Sequence, residues 1–67
     1  MRMQLNGKVV DLPNDIQSVK ELLHYLELAN RTVVVEKNRE ILDLDKHGDV
    51  LLKDGDCLEI VQFVGGG

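Results

Sequence analysis

One amphipathic segment constrains the fold of this chain more than any other feature. Its apolar residues recur at i, i+3, i+4 and i+7, the spacing of one side of an α-helix: Val19, Leu22, Leu23 and Leu26. Ser18 and Glu21 have the spacing of a capping box, in which each side chain satisfies a backbone amide at the helix start. No other segment has this period, so the helix has to bury its apolar side against a sheet.

The remaining segments predict short β-strands. Asn6-Gly7, the dipeptide that most favours a type I′ turn, separates apolar segments at residues 3–5 and 8–12 and predicts a hairpin. Further strands are predicted at residues 32–37, 40–42 and 57–64, with a short strand or helical turn at 50–52. Turns are predicted at Pro13-Asn14-Asp15, Asn38-Arg39 and Asp54-Gly55-Asp56. The order is β-β-α-β-(β)-β, an α+β domain with a mixed sheet of four to five strands on one main helix.

Length and composition exclude several classes of function. A fold of 67 residues buries only about 60% of the surface of its unfolded chain, which leaves little core for a walled active site. We therefore expect no intrinsic enzyme activity. Twelve acidic residues against eight basic ones, with one Tyr and one Phe, argue against nucleic-acid binding. No apolar run exceeds three residues, so we expect no membrane span, no signal peptide and a cytoplasmic location.

Three residue patterns resemble chemical sites but favour structural roles. The first falls at five positions of a calcium-binding loop: Asp43, Asp45, His47, Gly48 and Asp54. Its fifth and twelfth positions are wrong, and strands are predicted where the motif needs flanking helices. His24 and His47 lack the paired spacing of a zinc site. Cys57 has no sequence neighbour that would activate its thiol and no second cysteine to pair with. We predict no metal, no cofactor and no catalytic residue.

The last predicted strand has two different faces. Leu58, Ile60 and Val64 share one face, whereas Cys57, Glu59, Val61 and Phe63 share the other. Burial of an unpaired charge is costly, so Glu59 places the second face outside. Val61 and Phe63 then form an exposed apolar pair that we expect to dock a partner. The alternative is that Phe63 covers an edge of the core.

The sequence ends in Gly65-Gly66-Gly67. Glycine adds nothing to a core and loses the most entropy on ordering, so these residues favour a requirement for shape rather than stability. Extended, they reach roughly 10 Å and fit a narrow channel. They would deliver the α-carboxylate of Gly67, which is ionised at neutral pH and needs activation by another protein. The alternative is a frayed or linker-like terminus. We expect a domain at residues 1–64 and a flexible tail at 65–67.

Residues 54–67, DGDCLEIVQFVGGG, resemble the C-terminal signature of the ThiS family, the sulfur carriers of the thiamine pathway. Residues 3–8, MQLNGK, and 18–23, SVKELL, resemble the opening hairpin and helix of that family. The resemblance spans nearly the whole chain. It implies a ubiquitin-like β-grasp fold, in agreement with the order of elements reached above.

The resemblance also implies a function. An ATP-dependent adenylyltransferase of the ubiquitin-activating type would adenylate the carboxylate of Gly67. Sulfur from cysteine, released by a cysteine desulfurase system, would replace AMP to give a thiocarboxylate, and thiazole synthase would accept that sulfur. Gly65 and Gly66 would thread the channel of the partner. The residues that would seat the neck of the tail are Val61, Phe63 and Val64. The chain would be a protein cosubstrate, monomeric when free.

Two alternatives remain at this point. The small subunit of molybdopterin synthase resembles this pattern in fold, tail and activation, but it forms a lasting complex with a catalytic partner. A ubiquitin-like modifier or a plain interaction module would share the fold, and its tail would be joined to lysines or remain unused.

Overall fold

The computed structural model describes residues 1–43 and 50–62, and these ranges form one sheet and one helix. The elements follow in the order β1 (Arg2–Leu5), β2 (Lys8–Asp11), α1 (Val19–Tyr25), β3 (Val33–Lys37), β4 (Glu40–Ile41) and β5 (Cys57–Gln62). The predicted α+β class and the predicted order are confirmed, with one end of each of β1 to β4 moved by one residue. The predicted residues 63 and 64 of the last strand, the glycine tail and most of the calcium-like pattern lie outside the described ranges.

The last strand lies in the middle of the sheet, whose order is β2-β1-β5-β3-β4. β5 runs parallel to β1 and antiparallel to β3, so the sheet is mixed as predicted. The two hairpins, β1 with β2 and β3 with β4, form its two sides. Residues 50–52 form no named strand, but Leu51 pairs with Ser18 in an isolated antiparallel bridge. The chain therefore leaves the described domain from its central strand.

Both hairpins turn through two residues with positive φ. Asn6 and Gly7 have φ of 50° and 83°, as the predicted type I′ turn requires. Asn38 and Arg39 have φ of 50° and 70° and form an equivalent turn between Lys37 and Glu40. Arg39 adopts this conformation without the steric freedom of glycine, so the second turn is the more strained.

Helix α1 begins at the predicted cap. The Glu21 amide donates to Ser18 Oγ at 3.2 Å. Glu21 Oε1 accepts from the amide of Gln17 at 3.0 Å, one residue before the amide that an ideal capping box would use. The Ser18 hydroxyl also donates to Glu21 Oε1 at 3.3 Å. The spacing thus predicted the start of the helix correctly, while the amide that Glu21 satisfies lies one position earlier.

Helix α1 ends in a Schellman motif with an unusual residue. The Leu28 amide donates to the Leu23 carbonyl at 2.8 Å, and the Glu27 amide donates to the His24 carbonyl at 3.0 Å. These bonds require a left-handed residue after the C-cap, a position that glycine usually occupies. Here Glu27 occupies it with φ of 62°, so its side chain imposes a steric cost.

The core lies between α1 and one face of the sheet. Val19, Leu22 and Leu23 of the predicted helix stripe are buried, and Leu26 is half-buried at the C-cap. The sheet contributes buried aliphatic residues from β1, β3 and β5: Met3, Val33, Val35, Leu58 and Ile60. Leu12, Ile16 and Leu52 close the ends of the core. The core is aliphatic because the chain has almost no aromatic residues to place there.

Two asparagines hold β5 from opposite sides. Asn6 donates its amide to the Leu58 carbonyl at 2.9 Å and accepts with Oδ1 from the Ile60 amide at 2.7 Å. Asn38 donates its amide to the Cys57 carbonyl at 2.8 Å and accepts with Oδ1 from the Cys57 amide at 3.0 Å. The turn asparagines therefore extend the sheet ladder with their side chains.

Asp56 fixes the start of β5. Its carboxylate accepts from Asn38 Nδ2 at 3.1 Å and from the Lys53 amide at 2.8 Å, and Lys37 Nζ lies 3.9 Å away. Asp56 is buried, although the sequence predicts only a polar turn at residues 54–56. Its buried charge is stabilised because each of these groups is a donor that faces a carboxylate oxygen.

Glu27→Gly is expected to raise the free energy of unfolding by about 0.5–1 kcal/mol, because glycine adopts a left-handed conformation without a steric cost. Thermal unfolding should then occur roughly 2–8 °C higher. Glu27→Ala is the matched control, since it removes the same charge but keeps Cβ. An equal rise in both variants would assign the effect to the charge rather than to the backbone.

Asn6→Gly is expected to lower the free energy of unfolding by about 1–3 kcal/mol, because it keeps the positive φ but leaves the Ile60 amide without its acceptor. Asn6→Asp keeps an oxygen at this position and should lose less. Urea unfolding measures the stability, and hydrogen exchange of the Ile60 amide measures the bond directly. Unchanged protection of that amide in Asn6→Gly would contradict this role of the Asn6 side chain.

Candidate functional site

The candidate site begins where β5 ends. Along β5, Leu58 and Ile60 are buried under α1, while Cys57, Glu59 and Val61 face outward, so the predicted division of faces is confirmed. Val61 is 55% exposed and is the last outward-facing residue of this strand in the described chain. Its predicted companions Phe63 and Val64, and the glycines 65–67, lie outside the described residues. Of the predicted site residues, the structure therefore places Val61 alone.

The outer face of the sheet beside Val61 combines apolar and acidic side chains. Val34 pairs directly with Val61, and Glu36 pairs directly with Glu59. Ile41, 69% exposed, lies across from Glu36 on the next strand. Two like charges at directly paired positions destabilise a sheet by a few tenths of a kcal/mol, about the size of other cross-strand pair effects. Neither glutamate forms an ion pair with a described residue.

Residue spacing alone does not predict this acidic pair. Glu36 and Glu59 are far apart in the chain, and only the antiparallel register of β3 and β5 brings them together. The register itself follows from burial, because Val35 and Ile60 must both face the core. The alternation of buried and exposed residues in β3 and β5 would therefore predict this pair, but only once the two strands are known to be neighbours.

Backbone groups at the end of β5 form a further part of the site. Pairing with β3 continues as far as Gln62, whereas pairing with β1 stops at Leu58. Beyond Leu58, the Asn6 side chain accepts from the Ile60 amide. The Gln62 amide and the Ile60 carbonyl have no hydrogen-bond partner among residues 1–43 and 50–62. Within the described chain, the side of β5 toward β1 is thus unpaired at its end.

Three other polar or reactive side chains lie away from Val61: Cys57, Asp54 and Arg2. Cys57 is a free, exposed thiol on the outer face. Asp54, from the calcium-like pattern, accepts the Arg2 amide with Oδ1 at 2.8 Å. Arg2 also forms an exposed ion pair with Asp11 at 3.2 Å. The hydrogen bonds and the positive charge of Arg2 lower the pKa of the Asp11 carboxyl.

Two kinds of larger site are absent from the described part of the chain. There, no group of three or more histidine, cysteine or acidic side chains is arranged to hold a metal ion. No helix in residues 1–43 or 50–62 is long and apolar enough to span a bilayer. The features that distinguish the site are therefore the exposed Val61, the acidic pair beside it and the open end of β5.

Comparison with known proteins identifies the family. The model of the ThiS family matches residues 3–67. The chain is 45% identical to the sulfur carrier protein ThiS of Bacillus subtilis over 97% of its own length and 98% of that protein. It also matches the crystal structure of a thiamine biosynthesis protein (ThiS) from Geobacter metallireducens with 36% identity, a TM-score of 0.83 and complete coverage of both chains.

A second group of relatives is much longer. The whole chain is 39% identical to part of a thiazole synthase of Paramagnetospirillum magneticum, and the match covers 20% of that protein. Three findings agree on the fold and the family. The sheet is mixed and five-stranded with one helix, the structure matches a solved ThiS structure, and the family match extends to residue 67. The chain has the predicted ubiquitin-like β-grasp fold and belongs to the ThiS family.

Proposed function

We propose that this chain is a sulfur carrier of thiamine biosynthesis whose cargo is held as a thiocarboxylate on Gly67. The observation that carries the proposal is the full-length similarity, at 45% identity, to the sulfur carrier protein ThiS of Bacillus subtilis. The family match extends to residue 67 and so includes all three terminal glycines. On this proposal the chain is a cosubstrate, and its partners supply the catalysis.

The chemistry follows from the weak reactivity of a carboxylate. An oxygen of the Gly67 carboxylate attacks the α-phosphorus of ATP on an adenylyltransferase, and pyrophosphate leaves. A desulfurase system takes the sulfur of cysteine as a persulfide, and a thiol reductant releases it as sulfide while the thiol is oxidised to a disulfide. The sulfide then attacks the acyl carbon, and AMP leaves. The product is a thiocarboxylate, which donates its sulfur to thiazole synthase. Gly65 and Gly66 are small enough to pass through a narrow channel in each partner.

The domain supports this role by giving the tail a firm origin. β5 lies between two strands and is held by the side chains of Asn6 and Asn38. Residues 63–67, which include the tail, follow this central strand directly in the sequence. The partner is proposed to bind next to the tail through three apolar residues: Val61, Phe63 and Val64. A channel in the partner can therefore be aligned with the tail by docking on the domain.

Two observations support the choice of partners and location. Thiazole synthases of Paramagnetospirillum magneticum and Magnetococcus marinus each contain a segment similar to this whole chain, which favours thiazole synthase as the acceptor. The free thiol of Cys57 is compatible with a reducing cytoplasm. These relatives also favour the thiamine pathway over the molybdopterin alternative. The adenylyltransferase and the desulfurase are proposed as partners because the chemistry at Gly67 needs an activating enzyme and a source of sulfur.

Incubation with ATP, the adenylyltransferase and a cysteine-derived sulfur source is expected to increase the intact mass by the difference between one sulfur and one oxygen. The reason is that the reaction replaces one carboxylate oxygen. Mass spectrometry of the intact protein measures this change. A variant that lacks Gly67 is the control and should keep its mass. A gain that persists without Gly67 would move the sulfur to another group, with Cys57 the first to test.

Val61→Asp is expected to weaken binding of the adenylyltransferase about tenfold, because it places a charge at the centre of the docking surface beside Glu59. Val9→Asp is a matched control, since Val9 is 68% exposed on the same face but lies on the edge strand β2. Titration calorimetry with both variants measures the affinity, and thermal unfolding checks the fold. Equal loss in both variants, or no loss in Val61→Asp, would remove Val61 from the docking surface.

A further inference from the structure

Strand β1 is too short to cover the whole of β5. The two strands pair only at Gln4 with Cys57 and at Leu5 with Leu58, after which the chain turns back through Asn6 and Gly7. On its other side, β5 pairs with β3 through five positions and as far as Gln62. The strip beside residues 60–62, in line with β1 beyond Asn6, is called the open lane below.

The backbone of β5 directs specific groups into the open lane. The Asp56 and Leu58 carbonyls accept from the Gln4 and Asn6 amides, so the even-numbered residues of this strand face β1. The Cys57 carbonyl accepts from the Asn38 amide, and the Cys57 amide donates to Asn38 Oδ1, so the backbone groups of the odd-numbered residues face β3. By this alternation, the Ile60 carbonyl and both backbone groups of Gln62 point into the open lane. The Ile60 amide also points there, but the Asn6 side chain already occupies it.

A sheet edge of this kind binds extended peptide. Unpaired amide and carbonyl groups in the plane of a sheet are a template for an added strand, whose main-chain bonds supply affinity. Among the described residues, nothing accepts from the Gln62 amide or donates to the Ile60 carbonyl. The exposed side chain of Val61 lies beside the lane on the outer face and offers an apolar contact to an arriving strand.

We propose that an extended segment of thiazole synthase occupies the open lane and adds a strand beside residues 60–62. The inference rests on the proposed function, because a partner that receives the sulfur has to bind the tail, which begins three residues after Gln62. Thiazole synthase is favoured over other partners because two such enzymes carry a segment similar to this entire chain within one polypeptide. That arrangement keeps the carrier-like unit and the synthase in permanent proximity. The lane lies next to the origin of the tail, so the added strand aligns the tail with its acceptor.

N-methylation of the Gln62 amide tests the proposal, because it removes the donor and fills the lane while it leaves every side chain intact. Cys57 allows a traceless synthesis: a peptide of residues 57–67 that carries the methyl group is ligated to a thioester of residues 1–56. The full-length product is compared with unmethylated protein made in the same way. Gln62→Ala, made by the same route, is the control that changes the side chain and keeps the amide.

The methylated protein is expected to bind purified thiazole synthase about tenfold more weakly than the unmethylated protein, as expected for the loss of a main-chain hydrogen bond at an interface. Its thermal unfolding and its adenylation rate should be unchanged, and Gln62→Ala should bind normally. Equal affinity of the methylated and unmethylated proteins would overturn the proposal. A lower unfolding temperature would also overturn it, because the amide would then be bonded within the chain.

Two further outcomes distinguish failure of the strand contact from failure of the proposed carrier function. A fall in the adenylation rate would assign the lane to the adenylyltransferase and overturn the choice of thiazole synthase. Failure of the unmethylated protein to bind thiazole synthase at all would instead count against the proposed function, and the inference would fall with it. The mass increase on Gly67 is measured independently, so loss of the strand contact and loss of the carrier function are distinguishable.

Discussion

The structure depends on the insertion of the last strand between β1 and β3. The hairpin at each side of the sheet is local in sequence, but neither can bury its apolar face until β5 joins them under α1. Leu58 and Ile60 then complete the layer that Leu22 and Val19 cover. This contact joins strands from the two ends of the described chain, and the strand that completes the core directly precedes residues 63–67 in the sequence. On the proposed function, one element therefore serves both the stability of the domain and the delivery of the tail.

The alternation of β5 separates these two roles. Its core-facing residues are fixed by packing, whereas Glu59 and Val61 on the outer face are unconstrained by the core. The pairing of Glu59 with Glu36 reduces stability slightly, and Val61 leaves an apolar side chain in water. Such features are compatible with a surface selected for contact with another protein. On the proposed function, the outer face and the tail are the parts through which the chain meets its partners.

Much of the fold could be predicted from residue spacing. The helix stripe, its Ser18 cap, the Asn6-Gly7 turn and the two faces of β5 all follow from local periods and turn chemistry, and the structure confirms them. The roles of Asp56, of the Asn6 side chain and of the Glu36–Glu59 pair were not predicted. Each depends on residues distant in sequence that only the strand order brings together, as when Asn6 Oδ1 meets the Ile60 amide. The proposed role of the tail rests on its three glycines and on the family resemblance, because periodicity carries no information about residues 65–67.

The unequal lengths of β1 and β5 have a physical consequence that links fold to function. If β1 continued to pair with β5 up to Gln62, the hairpin turn would lie beside the start of the tail and obstruct any protein that encloses it. Because the turn comes at Asn6, a single side-chain oxygen replaces the missing strand at Ile60. Among the described residues, the Ile60 carbonyl and the Gln62 amide then have no partner on that side. The asparagine thus satisfies the one amide nearest the core, where an unpaired donor would be most costly. On the proposed interaction, the Ile60 carbonyl and the backbone groups of Gln62 are the ones that a partner strand would meet.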